Sequence, residues 1–353
     1  LVSLGVDVTV LAPEPVWNLA KASTGFRLPP RFEIRDGIPI YRPRFLTYST
    51  VPLPFGGSTR AWSDSARART VLREVNKLTG PFDMCFGHFL YPHGLAAAQV
   101  GTALGVPTVV SMGESSFERY ENTYDVHEIS QLLGRFSGVI ANSPQIKEHC
   151  VNRYNLSEDR VRVFPNGVNE KHFYPRERKS ARQHCQLPLD RPIIIFVGQL
   201  IERKGPLRVL EAVSSQPEIG AVFLGQGSQV PTGPQVLHQG PVPHEDVPVW
   251  LSAADIFVLP TLDEGCSNAI LEALFCGLPI VSSDLPFNRD VLDDQVAILV
   301  NPSHVKEIEQ AISLLVNRPE HRAAMSTAAL QHSRSFRLGD RAELIYEFLK
   351  TLC

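Results

Sequence analysis

Short apolar runs recur along the chain and alternate with stretches of helical period. Residues 193–197 (Ile-Ile-Ile-Phe-Val), 221–224, 256–259, 279–282 and 297–300 read as strands, and several are continuously apolar rather than alternating. Strands covered on both faces by helices have that character. Upstream, residues 6–11 read as a strand after a helix stop at Gly5, and residues 82–86 and 106–110 as two more. Residues 94–104 are Ala-rich and helical. Strand–helix alternation over this length predicts an α/β architecture built on parallel sheets.

The alternation breaks once. Pro165-Asn166-Gly167 is a turn signal, residues 170–186 are polar with a basic cluster at Arg176, Arg178 and Lys179, and a buried strand restarts at Pro192. A boundary is therefore expected near 175–190. It separates a domain at 1–175 from a second of similar kind at 190–335, and a closing segment at 336–353 carries a helix over 341–352 that packs back on the first domain. The Pro- and aromatic-containing stretch 42–57 is an ordinary surface excursion on its plainer reading, and an acceptor or membrane-contact loop on the other.

Length and composition agree with two domains. The chain has 353 residues, and its hydrophobic fraction of 43% against 20% charged suits a globular protein with a proper core. A balance of 34 Lys+Arg against 37 Asp+Glu lacks the basic excess that nucleic-acid binding needs. The six cysteines show no metal-site spacing and no disulfide framework, so reduced thiols in a cytosolic protein are expected. The longest strongly apolar run, 193–197, is far shorter than a membrane span. The chain opens without Met on Leu1-Val2-Ser3-Leu4-Gly5, which reads like a helix end, so an earlier segment is expected to be missing.

The chemistry concentrates in residues 254–272. They read as a buried strand, a tight loop Thr261-Leu262-Asp263-Glu264-Gly265-Cys266, and a helix capped at or near Ser267. Free N–H groups of Asn268, Ala269 and Ile270, with the helix dipole, would suit an anion such as a phosphate. Glu272 is the odd residue of that helix, among Ala269, Ile270, Leu271, Ala273, Leu274 and Phe275. A carboxylate buried there needs a partner. The vicinal hydroxyls of a ribose would supply two O–H donors. The structural alternatives are an internal ion pair for Glu272 and a capping carboxylate for Glu264.

A second anion site is suggested where the strand at 193–197 runs through Gly198-Gln199-Leu200 to Arg203-Lys204-Gly205-Pro206. Two cations beside a helix start can hold a diphosphate and stabilise its charge as it leaves. Leu224-Gly225-Gln226-Gly227 is a glycine turn, and no G-x-G-x-x-G accompanies it, so NAD is poorly supported. In the first half, His88 and the loop Met112-Gly113-Glu114-Ser115-Ser116 follow strands.

At these residues the chain resembles the retaining nucleotide-sugar glycosyltransferases of family 4 (glycosyl transferases group 1), which have the GT-B fold. The resemblance rests on Glu264-x7-Glu272 followed by Gly277-Leu278-Pro279, on Phe196-Val197-Gly198 with Arg203-Lys204-Gly205, on Gly240 leading to Ala253-Ala254-Asp255, and on Pro165-Asn166-Gly167-Val168-Asn169. It implies two Rossmann-like domains facing a central cleft, the first on the acceptor side and the second binding a UDP- or GDP-type sugar. Glu272 would hold the ribose, Glu264 the transferred sugar, and Lys204 with Arg203 the diphosphate. Gly198, Gln199, Cys266, Ser267 and Asn268 would line the sugar-donor site, with Pro243 and His244 by the base. The acceptor would be a glycan or a lipid-linked glycan. No metal, no cofactor and no nucleic acid is implied, and the place is cytoplasmic with peripheral contact at the inner face of the membrane.

Three departures stand out. The family often carries Arg at the position of Gln199, which leaves more of the phosphate work to Arg203 and Lys204. It often carries a His-Gly-x-Asp-like loop where Met112-Gly113-Glu114-Ser115 stands, so His88 or Glu114 is the candidate for an acceptor-side role. Its first strand and glycine-rich loop would precede Leu1. A nucleotide-sugar epimerase on the same plan and a non-catalytic nucleotide-sugar-binding protein are the alternatives.

Overall fold

Residues 1–15, 28–47, 59–113 and 117–353 are described by the structure, a computed structural model. They divide into two units, Leu1–Phe164 with Ala342–Cys353, and Pro165–Arg341. Glu114, and residues 48–57 of the expected surface loop, lie outside the described residues.

The first unit begins with short pieces: β1 (Val10–Leu11), β2 (Glu14–Pro15), β3 (Phe32–Arg35), β4 (Ile38–Tyr41) and β5 (Arg44–Phe45). They form sheets of order β1-β4-β3 and β2-β5. Of the strand expected over 6–11, only Val10 and Leu11 are paired, because β4 offers partners only at Ile40 and Tyr41. The main sheet is parallel, with order β6-β7-β8-β9: β6 (Cys85–His88), β7 (Thr108–Met112), β8 (Gly138–Ala141) and β9 (Val161–Val163). β7 starts later than the expected 106 because Pro107 has no N–H to give; its carbonyl accepts from Cys85 N at 2.9 Å and the ladder begins at Thr108. Val109 and Ile140 are fully buried against Ile345 and Phe348, so the end of the chain completes this unit's core.

The apolar runs of the second unit form one parallel sheet: β10 (Ile193–Val197), β11 (Gly220–Leu224), β12 (Val236–Gly240), β13 (Ile256–Leu259), β14 (Ile280–Ser283) and β15 (Ala297–Val300). Its order is β12-β11-β10-β13-β14-β15. Ile193 to Phe196 and Ile256 to Val258 are at most 1% exposed, as strands sheathed on both faces must be.

The polar stretch 170–186, where the sequence suggests a boundary, belongs to this unit. Glu177 caps a helix at Arg178–His184, accepting from Lys179 N at 2.9 Å and Ser180 N at 2.6 Å. Arg182 turns inward from that helix to Asp255 at 2.7 Å. The chain crosses between units at 164/165 and again at 341/342.

Candidate active site

Strands β10 and β13 are neighbours, yet the sheet grows from them in opposite directions, to β11 and to β14. Counted within the unit, the strand order is 3-2-1-4-5-6. The crevice beyond the carboxyl ends of the first and fourth strands is where ligands of such sheets bind. Residues 198–205 leave one of these strands and residues 260–267 the other, so topology alone brings Arg203, Lys204 and Glu264 together.

Lys204 is 7% exposed and its ammonium contacts Glu264 Oε1. Arg203 Nη1 lies 3.4 Å from Glu264 Oε2 and donates to the Asp263 carbonyl. Burial pushes the Lys204 ammonium below the usual lysine range, and Glu264 opposes that shift. Burial also raises the Asp263 carboxyl, opposed by Arg203. Glu264 is thus held by cations and does not cap the following helix.

Glu272 lies on the helix Asn268–Phe275, where Ile270, Leu271, Ala273 and Leu274 are fully buried. Its side chain is 12% exposed, and its partner is His244 Nε2 at 3.2 Å, on a side chain 70% exposed. Burial raises the Glu272 carboxyl above its ordinary range, while the His244 bond and the nearby His172 pull it down. The acid is therefore neither in bulk water nor locked to an internal Arg. His172 Nε2 lies 3.5 Å from the His244 carbonyl, and the two rings stack with centroids 6.0 Å apart.

Residues 1–172 match Glycosyltransferase Family 4, and residues 177–332 match Glycosyl transferases group 1. TuaC of Bacillus subtilis (strain 168), described as a candidate teichuronic acid biosynthesis glycosyltransferase, is 31% identical over 327 residues, 89% of this chain and 81% of that protein. The chain belongs to the group 1/family 4 glycosyltransferases. Sucrose-phosphate synthase from Thermosynechococcus elongatus matches with a TM-score of 0.81 at 18% identity, covering 99% of this chain and 90% of that one. HepE from Anabaena, in a structure with UDP-glucose, matches with a TM-score of 0.73 at 18% identity, covering 89% and 86%. These likenesses give this glycosyltransferase the GT-B fold.

The remaining expected site residues of this family member fall as follows. Gly198 and Gln199 open the loop after β10, where Gly198 N donates to the Leu224 carbonyl at 3.0 Å and Leu200 N to the Gln226 carbonyl at 2.9 Å. Gly225, at φ +151°, is there because a Cβ would overlap the Gly198 carbonyl oxygen; one on Gly227 would overlap that of Leu200. The glycine turn is thus a close approach of two backbones. Pro243 and His244 follow β12, and the Pro243 carbonyl accepts from Asp246 N at 2.9 Å. Ser267 takes the N-cap position, but its side chain makes no capping bond. That expectation is corrected: the side chain bonded at the helix start is Asn166, whose Nδ2 donates to the Cys266 carbonyl at 3.0 Å and to Asn268 Oδ1 at 2.9 Å. Leu271 N makes the first helical bond, to Ser267 O, so the N–H groups of residues 268–270 have no partner within the helix. His88 closes β6 in the first unit, its ring 4.6 Å from that of Phe89.

Sequence reasoning missed the contacts of Asn166 and His172 with the candidate site. Asn166 is visible as part of a turn motif and of the family-like segment 165–169, neither of which marks its amide, and nothing in the pattern marks His172. A cavity of about 490 Å³ near the ends of β14 and β15 is lined by Leu262, Asp284 and Glu307 among others; Asp284 is held by Arg289, and Glu307 by Asn301 N and His304. No helix among the described residues is long and apolar enough to cross a membrane.

Proposed function

We propose that this chain transfers a sugar from a UDP- or GDP-type nucleotide sugar to a glycan or lipid-linked acceptor, with the anomeric configuration retained. The observation that carries this reading is the buried Glu272 carboxylate, whose bonded side chain is an exposed, displaceable histidine. A ribose diol can replace that single bond with two O–H donors to the same carboxylate. The UDP-glucose in the HepE structure supports a donor of this class.

In the proposed reaction the diphosphate takes Lys204, with Arg203, away from Glu264. Glu264 is then free to accept hydrogen bonds from the transferred sugar. The free N–H groups at the start of the helix Asn268–Phe275 add fixed positive potential nearby. Gln199 supplies no charge, so the two cations carry the phosphate work without a metal. Pro243 and His244 lie by the base, and His88 serves the acceptor side. Catalysis is then positioning of the acceptor and stabilisation of charge on the departing phosphate, which itself helps take the acceptor proton. A lipid-linked acceptor would bring the protein to the membrane surface from the cytoplasm.

A panel of nucleotide sugars tests this, reading free nucleotide with and without candidate acceptors and the anomer of the product. Acceptor-dependent release with retention is expected. Isomerised donor without any acceptor would mean an epimerase, and binding without release a non-catalytic protein.

A further inference from the structure

The loop 260–267 is held unevenly. Its first part is tied down repeatedly: Arg208 Nη2 donates to the Pro260 carbonyl at 3.1 Å, Leu262 N to the Arg203 carbonyl at 2.8 Å, Thr261 Oγ1 to the Asp263 carbonyl at 3.0 Å, and Ser283 Oγ to the Thr261 carbonyl. Beyond Glu264 the backbone has far less. Among the described residues, the side chain bonded to the Cys266 carbonyl and to Asn268 is that of Asn166. Both N–H donors of one amide are spent there, on segments about 100 residues away in sequence.

Asn166 is itself fixed from both sides. Arg341 Nε donates to the Pro165 carbonyl at 2.6 Å. Val168 N donates to the Phe336 carbonyl and the Val168 carbonyl accepts from Leu338 N, each at 2.9 Å. The amide is therefore a rigid strut on the segment of restricted backbone that opens the second unit. It sets where residues 266–268 stand, and through Gly265 where Glu264 stands.

We propose that Asn166 is a positioning residue: it holds the Glu264 loop and the first turn of the helix Asn268–Phe275 in the arrangement that sugar transfer requires. This rests on the role proposed above for Glu264. Glu272 sits a full turn further along the same helix, with its own partner and packing, so nucleoside binding is largely independent of the strut.

Asn166→Asp keeps the side chain's shape and removes both donors, placing a carboxylate against two acceptor oxygens. In the full chain without ligand, amide hydrogen exchange at Leu271, whose N–H closes the first helical turn on the Ser267 carbonyl, rises about tenfold or more in Asn166→Asp, while β10 and β13 stay protected. In turnover, kcat falls about tenfold or more while affinity for uridine or guanosine alone, which carry no diphosphate, stays within about twofold. Asn268→Ala, which removes one acceptor and leaves the Cys266 bond, shows the same effects at smaller size and guards against a folding failure of the first variant. Unchanged exchange at Leu271, or nucleoside affinity lost in step with kcat, overturns the proposal. If wild type releases no nucleotide from any donor, the transferase reading fails, and the exchange experiment still decides the strut.

Discussion

His244 Nε2 and Glu272 Oε1 stand 3.2 Å apart, joining a largely exposed imidazole to a largely buried carboxylate. The bond offsets part of the burial that raises the Glu272 carboxyl. His244→Ala removes that offset, so the carboxyl rises further. Nucleotide binding through the ionised Glu272 is then lost at a higher pH than in wild type as the solution is acidified. Calorimetric affinities for UDP and GDP across a pH series check this; superimposable profiles would count against a ribose role for Glu272.

Glu272→Gln separates function from stability. A carboxyl raised above 4.5 in the folded state contributes stability that is present below 4.5 and lost as pH rises through the folded value. The amide carries no such cost, so the variant should melt higher than wild type at pH 7 and lose that advantage below about pH 4. Nucleotide affinity should drop about tenfold or more, since hydrogen bonds to a charged acceptor are worth ~1.5–3 kcal/mol. Melting curves and titrations on the same samples test both halves. A variant that binds nucleotide like wild type would remove Glu272 from the site.

Lys204 and Glu264 form a pair with side chains 9% and 15% exposed. Lys204→Met leaves a mostly buried carboxylate with only Arg203 beside it, at a cost on the order of 3 kcal/mol. Lys204→Met with Glu264→Gln should recover most of that stability, because no charge is stranded. Turnover should not recover, and a loss of about 100-fold in kcat is expected for either variant. Recovery of activity in the double variant would show that the pair serves folding alone.

How far the sequence discloses this site depends on the range of the interactions. The strands at 193–197, 256–259 and 297–300 are legible because continuous apolar runs have few other fates. Glu272 is legible because a lone acid in an apolar helix needs a reason. Asn166 is not, since Pro-Asn-Gly codes for a turn whether or not its amide reaches residues 266 and 268. The stretch 170–186 reads as a boundary because local polarity hides the burial of Arg182, whose partner Asp255 is 73 positions away. Ser267 looks like a cap on local grounds and donates its position but not its hydroxyl.

Gly225 carries a stability prediction of its own. At φ +151° a side chain is strained, and a Cβ there would meet the Gly198 carbonyl, which is backbone and cannot swing away. Gly225→Ala should therefore cost about 3 kcal/mol or more. A Cβ on Gly233 would meet only the Gln235 and Leu210 side chains, each at an ordinary 3.9 Å, so Gly233→Ala should change stability by no more than about 1 kcal/mol. Equal melting temperatures for the two variants would mean that the loops after β10 and β11 separate readily.

The Arg182–Asp255 pair gives the sharpest contrast between a buried and an exposed arginine on one helix. Arg182 is 5% exposed and spends its guanidinium on the carbonyls of Ala253, Pro188, Leu189 and Arg191 as well as on Asp255. Asp255 in turn accepts from Ile193 N at 2.8 Å, at the start of β10. Arg178 reaches the same carboxylate at 3.0 Å, but from a side chain 51% exposed. Removing Arg182 strands four carbonyls and most of a buried charge, so Arg182→Met should cost about 3–5 kcal/mol. Arg182→Lys keeps the charge but not the planar fork, and should recover only part of that loss. Arg178→Ala removes a solvent-screened pair and should cost no more than about 1 kcal/mol. Urea midpoints rank the three variants; equal losses for Arg178→Ala and Arg182→Met would show that the carboxylate is anchored by charge alone and not by the fork that ties the helix Arg178–His184 to the sheet.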